Sequence, residues 1–153
     1  MTIDPFRAEQ GRPFYFELVL GAPGSGKTSL VEQRIEDYRK AHPKAEIMIL
    51  DPNAQFAGRG GVWPPDGDAA AWLAAFKARR ARYNPPPPCL LVLDDADRFL
   101  TGAPPTGIWR DLFTSFRHWR CDVILNARRT QAVPKVAIAS ASYLSLFIHR
   151  ELY

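Results

Sequence analysis

One short stretch near the amino terminus limits the folds open to this chain of 153 residues. An apolar segment at 14–20 runs into the letters GAPGSGKT, and a helical pattern begins at once after them. The spacing fits the pattern G-x-x-x-x-G-K-[ST], with matches at Gly21, Gly26, Lys27 and Thr28. Glycines let backbone N–H groups surround an oxyanion, and the helix amino terminus adds the positive end of its dipole. The stretch therefore predicts a phosphate-binding loop between a strand and a helix.

The side chains of this loop predict a nucleoside triphosphate as the ligand. Lys27 is long enough to reach the β- and γ-phosphates, and the Thr28 hydroxyl suits the ligation of Mg²⁺. We expect the whole loop to contact the nucleotide. The binding residues are then Gly21, Ala22, Pro23, Gly24, Ser25, Gly26, Lys27, Thr28 and Ser29.

Short apolar segments alternate with helical patterns along the rest of the chain. The strand candidates cover 14–20, 45–50, 89–94, 121–126 and 143–148. The helix candidates cover 25–42, a stretch from Asp68 that carries Trp72, Leu73 and Phe76 on one face, 106–120 and 134–141. Strands that are apolar on both faces and alternate with helices are typical of a doubly wound α/β domain. We therefore predict one domain, 1–153, with a mainly parallel five-stranded sheet and helices on both faces.

Two stretches lack this alternation. The letters AGRGGVWPPDGD at 57–68 form the longest segment without periodicity, which predicts a mobile loop. The letters NPPPP at 84–88 predict a stiff spacer, because consecutive prolines restrict the backbone.

Composition predicts a protein of the cytoplasm without a membrane anchor. No apolar run approaches the roughly 20 residues of a membrane span, and the start MTIDPFRAEQ lacks a signal-peptide pattern. Cys89 and Cys121 begin apolar segments, which predicts buried thiols in a reducing compartment. The net charge of +4 suits a polyanionic partner.

A pair of acids predicts the chemistry that accompanies phosphate binding. The letters LLVLDDAD place Asp94 and Asp95 where the third strand candidate ends. In a parallel sheet this edge is also that of the phosphate loop. We expect Asp94 to hold Mg²⁺ through water and Asp95 to act as general base toward the attacking water. The combination predicts Mg²⁺-dependent hydrolysis of ATP rather than GTP, because no guanine-reading N-K-x-D motif is present.

Polar residues also follow the fourth strand candidate at the same edge. Asn126 ends that segment, in a position suited to orient the attacking water. Arg128 and Arg129 come directly after it, and we expect them near the phosphates of their own subunit or of a neighbour. Lys27, Asp95, Asn126, Arg128 and Arg129 are thus the candidate catalytic residues.

Together these segments resemble the FtsK/HerA division of P-loop ATPases, which pump DNA. The letters ILDPNAQF at 49–56 resemble the D-P-x-x-E segment of that division. The letters RRTQAVPKVAIASASYLSLFI resemble its arginine or glutamine element, followed by a short helix and the final strand. Within the division, a core of this size is most similar to the small genome-packaging ATPases of membrane-containing icosahedral viruses.

The resemblance implies a three-layer P-loop NTPase with strand order 5-1-4-3-2. It further implies a ring, a pentamer or hexamer, with an arginine finger that acts across the subunit interface and double-stranded DNA in the pore. A viral capsid or vertex protein is a candidate partner, in the host cytoplasm or on the virion. Arg110, Arg117 and Arg120 are alternatives to Arg128 and Arg129 as the finger.

The chain departs from the family pattern at two positions. Asp95 stands where most members carry glutamate, so the base is one methylene shorter. Gln55 stands where an acid is common.

Two other functions remain open from the sequence. A small-molecule P-loop kinase requires an arginine-rich lid and an acceptor pocket, and the letters LDDAD fit hydrolysis better. A protein-remodelling or morphogenesis ATPase would use the same nucleotide site on a protein partner. The related filamentous-phage assembly ATPases are membrane-anchored, and we expect no anchor here.

Overall fold

Six parallel strands form a single sheet in the computed structural model, which describes residues 14–22 and 24–147. The strands are β1 (Phe16–Gly21), β2 (Glu46–Leu50), β3 (Gly61–Val62), β4 (Cys89–Leu93), β5 (Cys121–Ala127) and β6 (Tyr143–Phe147). The α-helices are α1 (Lys27–Ala41), α2 (Ala69–Arg80), α3 (Gly107–Ser115) and α4 (Lys135–Ser140). Short 3₁₀ turns cover Ala57–Arg59, Ala96–Arg98 and Thr130–Ala132.

The strand order is β3-β2-β4-β5-β1-β6, and every adjacent pair is parallel. The five predicted strands thus follow the order 5-1-4-3-2, as the family resemblance implied. The predicted number of strands was wrong, because β3 adds a sixth strand outside β2. Within this sheet, β2 and β4 are paired from Glu46↔Cys89 to Leu50↔Leu93.

The stretch 57–68, predicted as a mobile loop, contains β3. Asp51 donates its backbone N–H to the carbonyl of Val62 at 2.8 Å, and Gly61 donates to the carbonyl of Phe56 at 2.8 Å. These bonds fold the chain back beside β2. A two-residue strand has no periodicity, so the sequence carries no pattern that would reveal it.

Helices cover both faces of the sheet, as predicted. Helix α1 packs Val31, Ile35 and Tyr38 on one face, against Val19, Ile49, Leu90, Val92 and Ile124 of the strands. The other face carries α2, α3 and α4, whose buried residues include Leu73, Phe76, Leu112, Phe113 and Ala137. The strands between these layers are fully buried over β4 and β5, which explains their continuous apolar letters.

The start of α2 agrees with the sequence prediction, whereas the end of α3 differs from it. Asp68 caps α2, because its Oδ1 accepts the N–H of Ala71 at 2.9 Å. Helix α3 ends at Ser115 rather than continuing to 120. Beyond it the chain turns to bury Phe116 and Trp119, and Arg120 takes a left-handed conformation with φ 55°.

The outer strand β6 is more exposed than its apolar letters predicted. Leu144 and Leu146 are 56% and 59% exposed. The predicted last strand also included Ile148, which lies outside the described residues. Among the helices of the described ranges, none combines the length and apolar character that a bilayer crossing requires.

Candidate functional site

The phosphate loop joins the carboxyl end of β1 to the first residue of α1. Gly24 and Gly26 adopt φ of 75° and 97°, a left-handed region that glycine enters without steric cost. Gly26 is the N-cap of α1, and its carbonyl accepts the N–H of Leu30 at 3.3 Å. This conformation turns the chain sharply enough to leave the first N–H groups of α1 free for an anion. Pro23, which the sequence also assigned to the loop, lies outside the described residues.

Lys27 is the first residue of α1 and is buried, with 7% exposure. Burial lowers the pKa of its ammonium, while the negative charges of Asp95, Asp94 and Asp97 act in the opposite direction. The lysine predicted to contact phosphate therefore lies close to both predicted acids. The positive charge is held at the centre of the site.

Asp94 follows β4 directly and is 1% exposed. Its Oδ1 accepts a hydrogen bond from Nδ2 of Asn126 at 2.6 Å, whereas its Oδ2 is buried and has no hydrogen-bond partner among the described residues. Burial raises the pKa of Asp94 to about 6, and the hydrogen bond from Asn126 opposes this shift. The carboxylates of Asp51 and Asp95 raise the pKa further. A buried, partnerless carboxylate oxygen beside other acids is a place where a cation would be stabilised.

Asp95 adopts a left-handed conformation, with φ 46° and ψ 53°, which turns its side chain away from the strand direction. Nδ2 of Asn53 donates to Oδ2 of Asp95 at 2.6 Å. Nε of Arg128 lies 3.1 Å from Oδ1 in an ion pair, and Nη2 of Arg128 donates a long hydrogen bond to Oδ2 at 3.4 Å. Asp95 is 5% exposed, so both of its neighbours contact a nearly buried carboxylate.

The sequence analysis did not assign Asp97 to the site. In the structure, the carboxylate of Asp97 fixes the backbone of the segment that follows β5 through a hydrogen bond. Its Oδ1 accepts the backbone N–H of Arg128 at 2.6 Å. Its Oδ2 lies 3.6 Å from Nε of Arg129, whose side chain is 74% exposed. The two arginines therefore differ: Arg128 faces Asp95, and Arg129 extends toward solvent.

The segment after β2 contributes two further contacts that sequence reasoning missed. Asn53 bonds to Asp95, and Oε1 of Gln55 accepts a long hydrogen bond of 3.4 Å from the Thr28 hydroxyl. Gln55 thus lies beside the hydroxyl predicted to hold Mg²⁺, although its amide replaces the acid that is common in the family. The D-P-x-x-E resemblance was the available signal for this segment, but it pointed to position 55 and not to Asn53.

A cleft of about 480 Å³ opens at this edge of the sheet. Its lining residues are Ala22, Asp95, Asp97, Arg98, Arg128 and Arg129. The cleft joins the phosphate loop to the acids and arginines that the sequence placed at the same edge. Ser29, the last of the predicted loop residues, is exposed on the first turn of α1.

No protein-family model matches this sequence, and no curated protein is significantly similar to it. Solved structures share its fold. The genome packaging NTPase B204 from Sulfolobus turreted icosahedral virus 2, in complex with AMPPCP, superposes with a TM-score of 0.75 at 20% identity, over 92% of this chain and 78% of that one. The DNA-packaging ATPase B204 from Sulfolobus turreted icosahedral virus gives 0.72 at 16% identity, over 91% and 78%.

A more distant likeness is to the N-terminal domain of zonular occludens toxin from Neisseria meningitidis. It superposes with a TM-score of 0.54 at 10% identity, over 82% of this chain and 72% of that one. These superpositions show that the chain has the three-layer P-loop NTPase fold. They confirm, at the level of fold, the predicted resemblance to the genome-packaging ATPases.

Proposed function

We propose that this protein is a Mg²⁺-dependent ATPase that works in a ring as a DNA-translocating, genome-packaging motor. The observation that carries the proposal is that four polar side chains lie together at the carboxyl edge of the sheet, where the phosphate loop leads into α1. They are Lys27, Asp94, Asp95 and Asn126. The likeness of fold to packaging NTPases supports it.

The phosphate loop binds the triphosphate of ATP. The left-handed turn at Gly24 and Gly26 exposes backbone N–H groups to the phosphate oxygens, and the amino terminus of α1 adds its dipole. Lys27 supplies a full positive charge at the same place. Because Lys27 is nearly buried, its attraction for phosphate is screened less by water than that of a surface lysine.

Thr28 and Asp94 fit a magnesium ion. Both offer oxygen atoms, which Mg²⁺ prefers, and Oδ2 of Asp94 is buried with no hydrogen-bond partner in the part of the chain that the structure describes. Burial is the main cause of the raised pKa of Asp94, and the neighbouring carboxylates of Asp51 and Asp95 add to it, so a cation at this place would be stabilised. When bound, Mg²⁺ neutralises negative charge on the phosphates that the reaction cleaves.

Asp95 is the general base. A water molecule gives one proton to the Asp95 carboxylate, and its oxygen forms a bond to the γ-phosphorus. The bond from that phosphorus to the bridging oxygen breaks, and ADP leaves with the electron pair. Asn126 orients the attacking water from the neighbouring strand, since its buried Oδ1 accepts no hydrogen bond from residues 14–22 and 24–147.

The two arginines divide their roles between subunits. Arg128 acts in its own subunit, where it already pairs with Asp95. Arg129 is largely exposed and reaches the nucleotide of the neighbouring subunit as the arginine finger. This assignment requires a neighbouring subunit. The ring that we propose is a pentamer or hexamer around double-stranded DNA, with a capsid or vertex protein as its docking partner.

The rate of ATP hydrolysis with and without double-stranded DNA, measured beside the mass in solution, tests the proposal. We expect DNA to raise the rate and a mass of several subunits to appear with it. Lys27→Ala is the control, since hydrolysis at the proposed site should be lost in this variant. Hydrolysis by a strict monomer, at a specific activity independent of protein concentration and of DNA, would contradict the motor and favour the kinase.

A further inference from the structure

The segment from Asp51 to Phe56 is a rigid element built on one carboxylate. Oδ1 of Asp51 accepts the N–H of Gln55 at 3.0 Å, and Oδ2 accepts the N–H of Phe56 at 2.8 Å. Asp51 is 3% exposed, and Phe56 is buried against the α1 face of the sheet at 1% exposure. Both oxygens of Asp51 are therefore used to hold the backbone, and the segment keeps one conformation.

This rigid segment presents two amide side chains to the nucleotide site. Gln55 contacts Thr28 at the phosphate loop, at 3.4 Å. Asn53 contacts Asp95 on the other side of the site, at 2.6 Å. Ala54, between them, adopts a left-handed φ of 54°, which turns the chain between the two contacts. The segment from β2 is thus connected to the residues that follow both β1 and β4.

The two side chains that contact Asp95 come from different elements. Arg128, after β5, pairs with Oδ1 through Nε at 3.1 Å and donates from Nη2 to Oδ2 at 3.4 Å, whereas Asn53, after β2, bonds to Oδ2 alone. If Arg128 turns toward a bound nucleotide, Asn53 still holds the carboxylate. Oδ1 is then open to a water molecule, and the hydrogen bond to Oδ2 fixes its direction.

A neutral donor suits this task better than a second cation. An amide N–H orients a carboxylate without adding a positive charge that would weaken its attraction for a proton. Orientation matters for Asp95 because its side chain is short and its backbone is in a left-handed turn. A base that is aimed at the water before the reaction loses less rate to misalignment.

We propose that Asn53 is a positioning residue that aims Oδ1 of Asp95 at the attacking water. The inference rests on the proposed role of Asp95 as general base, and it assigns to the segment after β2 a part in hydrolysis that the phosphate loop and the acids do not supply.

The experiment compares kcat, KM for ATP and melting temperature in Asn53→Ala and Asn53→Asp. Asn53→Ala lowers kcat by about tenfold, the effect of one hydrogen bond of ordinary net strength, and changes KM less than twofold. Asn53→Asp lowers kcat more than Asn53→Ala, because it sets a carboxylate against Asp95. A residue that only supports the fold gives the opposite order, since aspartate keeps the size and shape of asparagine.

Gln33→Ala is the matched control. Nε2 of Gln33 donates to Oδ1 of Asp37 at 2.8 Å on the exposed face of α1, so the change removes an amide-to-aspartate hydrogen bond away from the site. We expect kcat to be unchanged in this variant. Unchanged kcat in Asn53→Ala, or a fall in melting temperature and ATP affinity that accounts for the lost rate, would overturn the inference.

The same substitution in an Asp95→Asn background separates this inference from the proposed function. If Asn53 acts through Asp95, Asn53→Ala has no further effect on kcat once the base is removed. A further tenfold loss in that background means that Asn53 acts on another group, and the inference is wrong. If Asp95→Asn itself hydrolyses ATP at the wild-type rate, it is the base assignment that fails.

Discussion

Asn126 donates a hydrogen bond of 2.6 Å to Asp94 from the neighbouring strand, and both residues stand one position beyond the last paired residues of that register, Leu93↔Leu125. The contact is therefore fixed by the pairing of β4 with β5. A slip of one residue between these strands would turn one of the two side chains into the core. The polar centre of the site is thus held by the most buried part of the sheet.

The first prediction concerns Lys27, the lysine that we propose binds phosphate. Lys27→Ala should remove detectable ATP hydrolysis and weaken nucleotide binding by at least tenfold, because it deletes the buried positive charge of the loop. Binding is measured with a fluorescent ATP analogue and hydrolysis by phosphate release. Lys40→Ala, at the exposed far end of α1, is the control and should behave as wild type. Wild-type hydrolysis in Lys27→Ala would refute the assignment of the loop.

The second prediction separates the two acids. Asp94→Asn should weaken Mg²⁺-dependent nucleotide binding, because it removes the charge of the proposed ligand. Asp95→Asn should bind ATP normally and hydrolyse it on the order of 10²-fold more slowly. Asparagine is the right replacement at 95, since it tolerates the left-handed backbone that alanine would strain.

Calorimetric titration of nucleotide with and without Mg²⁺, beside single-turnover hydrolysis, checks this division. An equal loss of ATP affinity in both variants would contradict it. Asp51, the next acid along this edge, is a poor replacement base because both of its oxygens accept backbone N–H groups.

The third prediction concerns the arginine finger. Subunits with Arg129→Ala and subunits with Lys27→Ala should each be inactive alone and regain part of the activity when mixed. Some interfaces then pair an intact phosphate loop with an intact Arg129 of the neighbour. Subunits with Arg128→Ala should not be rescued in the same way, because Arg128 is needed beside Asp95 of its own subunit.

ATP hydrolysis across a range of mixing ratios, at constant total protein, measures this rescue. Recovery with Arg128→Ala but not with Arg129→Ala would exchange the two roles. No recovery in either mixture, from protein that stays monomeric, would argue against catalysis between subunits.

The fourth prediction concerns the dependence of folding stability on pH. Asp122 lies on β5, where its Oδ1 accepts the N–H of Tyr15 at 2.8 Å. Burial raises the pKa of Asp122 from 3.8 to about 6, against the opposing effects of the Tyr15 hydrogen bond and the charge of His42. The ionised carboxylate therefore costs more in the folded chain than in the unfolded chain. This cost is absent below about pH 4 and complete above the folded-state pKa.

Asp122→Asn removes this cost and keeps an oxygen for the Tyr15 N–H. The free energy of unfolding of the variant, relative to wild type, should increase between pH 4 and pH 7.5 by up to about 3 kcal/mol. Urea denaturation of nucleotide-free protein at the two pH values measures it. Asp66→Asn, at an exposed position, is the control. A relative stability of Asp122→Asn that is independent of pH would show that the carboxylate is not destabilised by burial.

The sequence predicted the centre of the site because strand ends locate it. The phosphate loop and Asp94 each follow a strand of apolar letters, Asn126 lies near the end of another, and parallel strands bring their carboxyl ends to one edge. The order of the five main strands followed from the family resemblance. No pattern of this kind predicts the contacts of Asn53 or Asp97, because those contacts depend on the backbone conformation of loops.

Two of those turns use left-handed residues other than glycine. Ala54 and Asp95 adopt φ of 54° and 46°; alanine gives no signal of such a conformation in a sequence, and aspartate, although it adopts it more often, gives only a weak one. The pairing of Arg128 with Asp95 depends on the second turn, and the contact of Asn53 depends on both. The sequence could therefore place these residues at the correct edge but not against one another.

Gly61 takes no part in the chemistry of the site, but substitutions at Gly61 should disrupt it. A Cβ at this position would come within 2.5 Å of Oδ2 of Asp51 and 2.9 Å of the carbonyl of Phe56. Any side chain there displaces the carboxylate on which the backbone around Asn53 is folded. In a saturation scan for activity, Gly61 should therefore tolerate as few substitutions as the residues proposed to contact ATP. Gly58, where a Cβ would meet no atom of the described residues within 4 Å, should accept many.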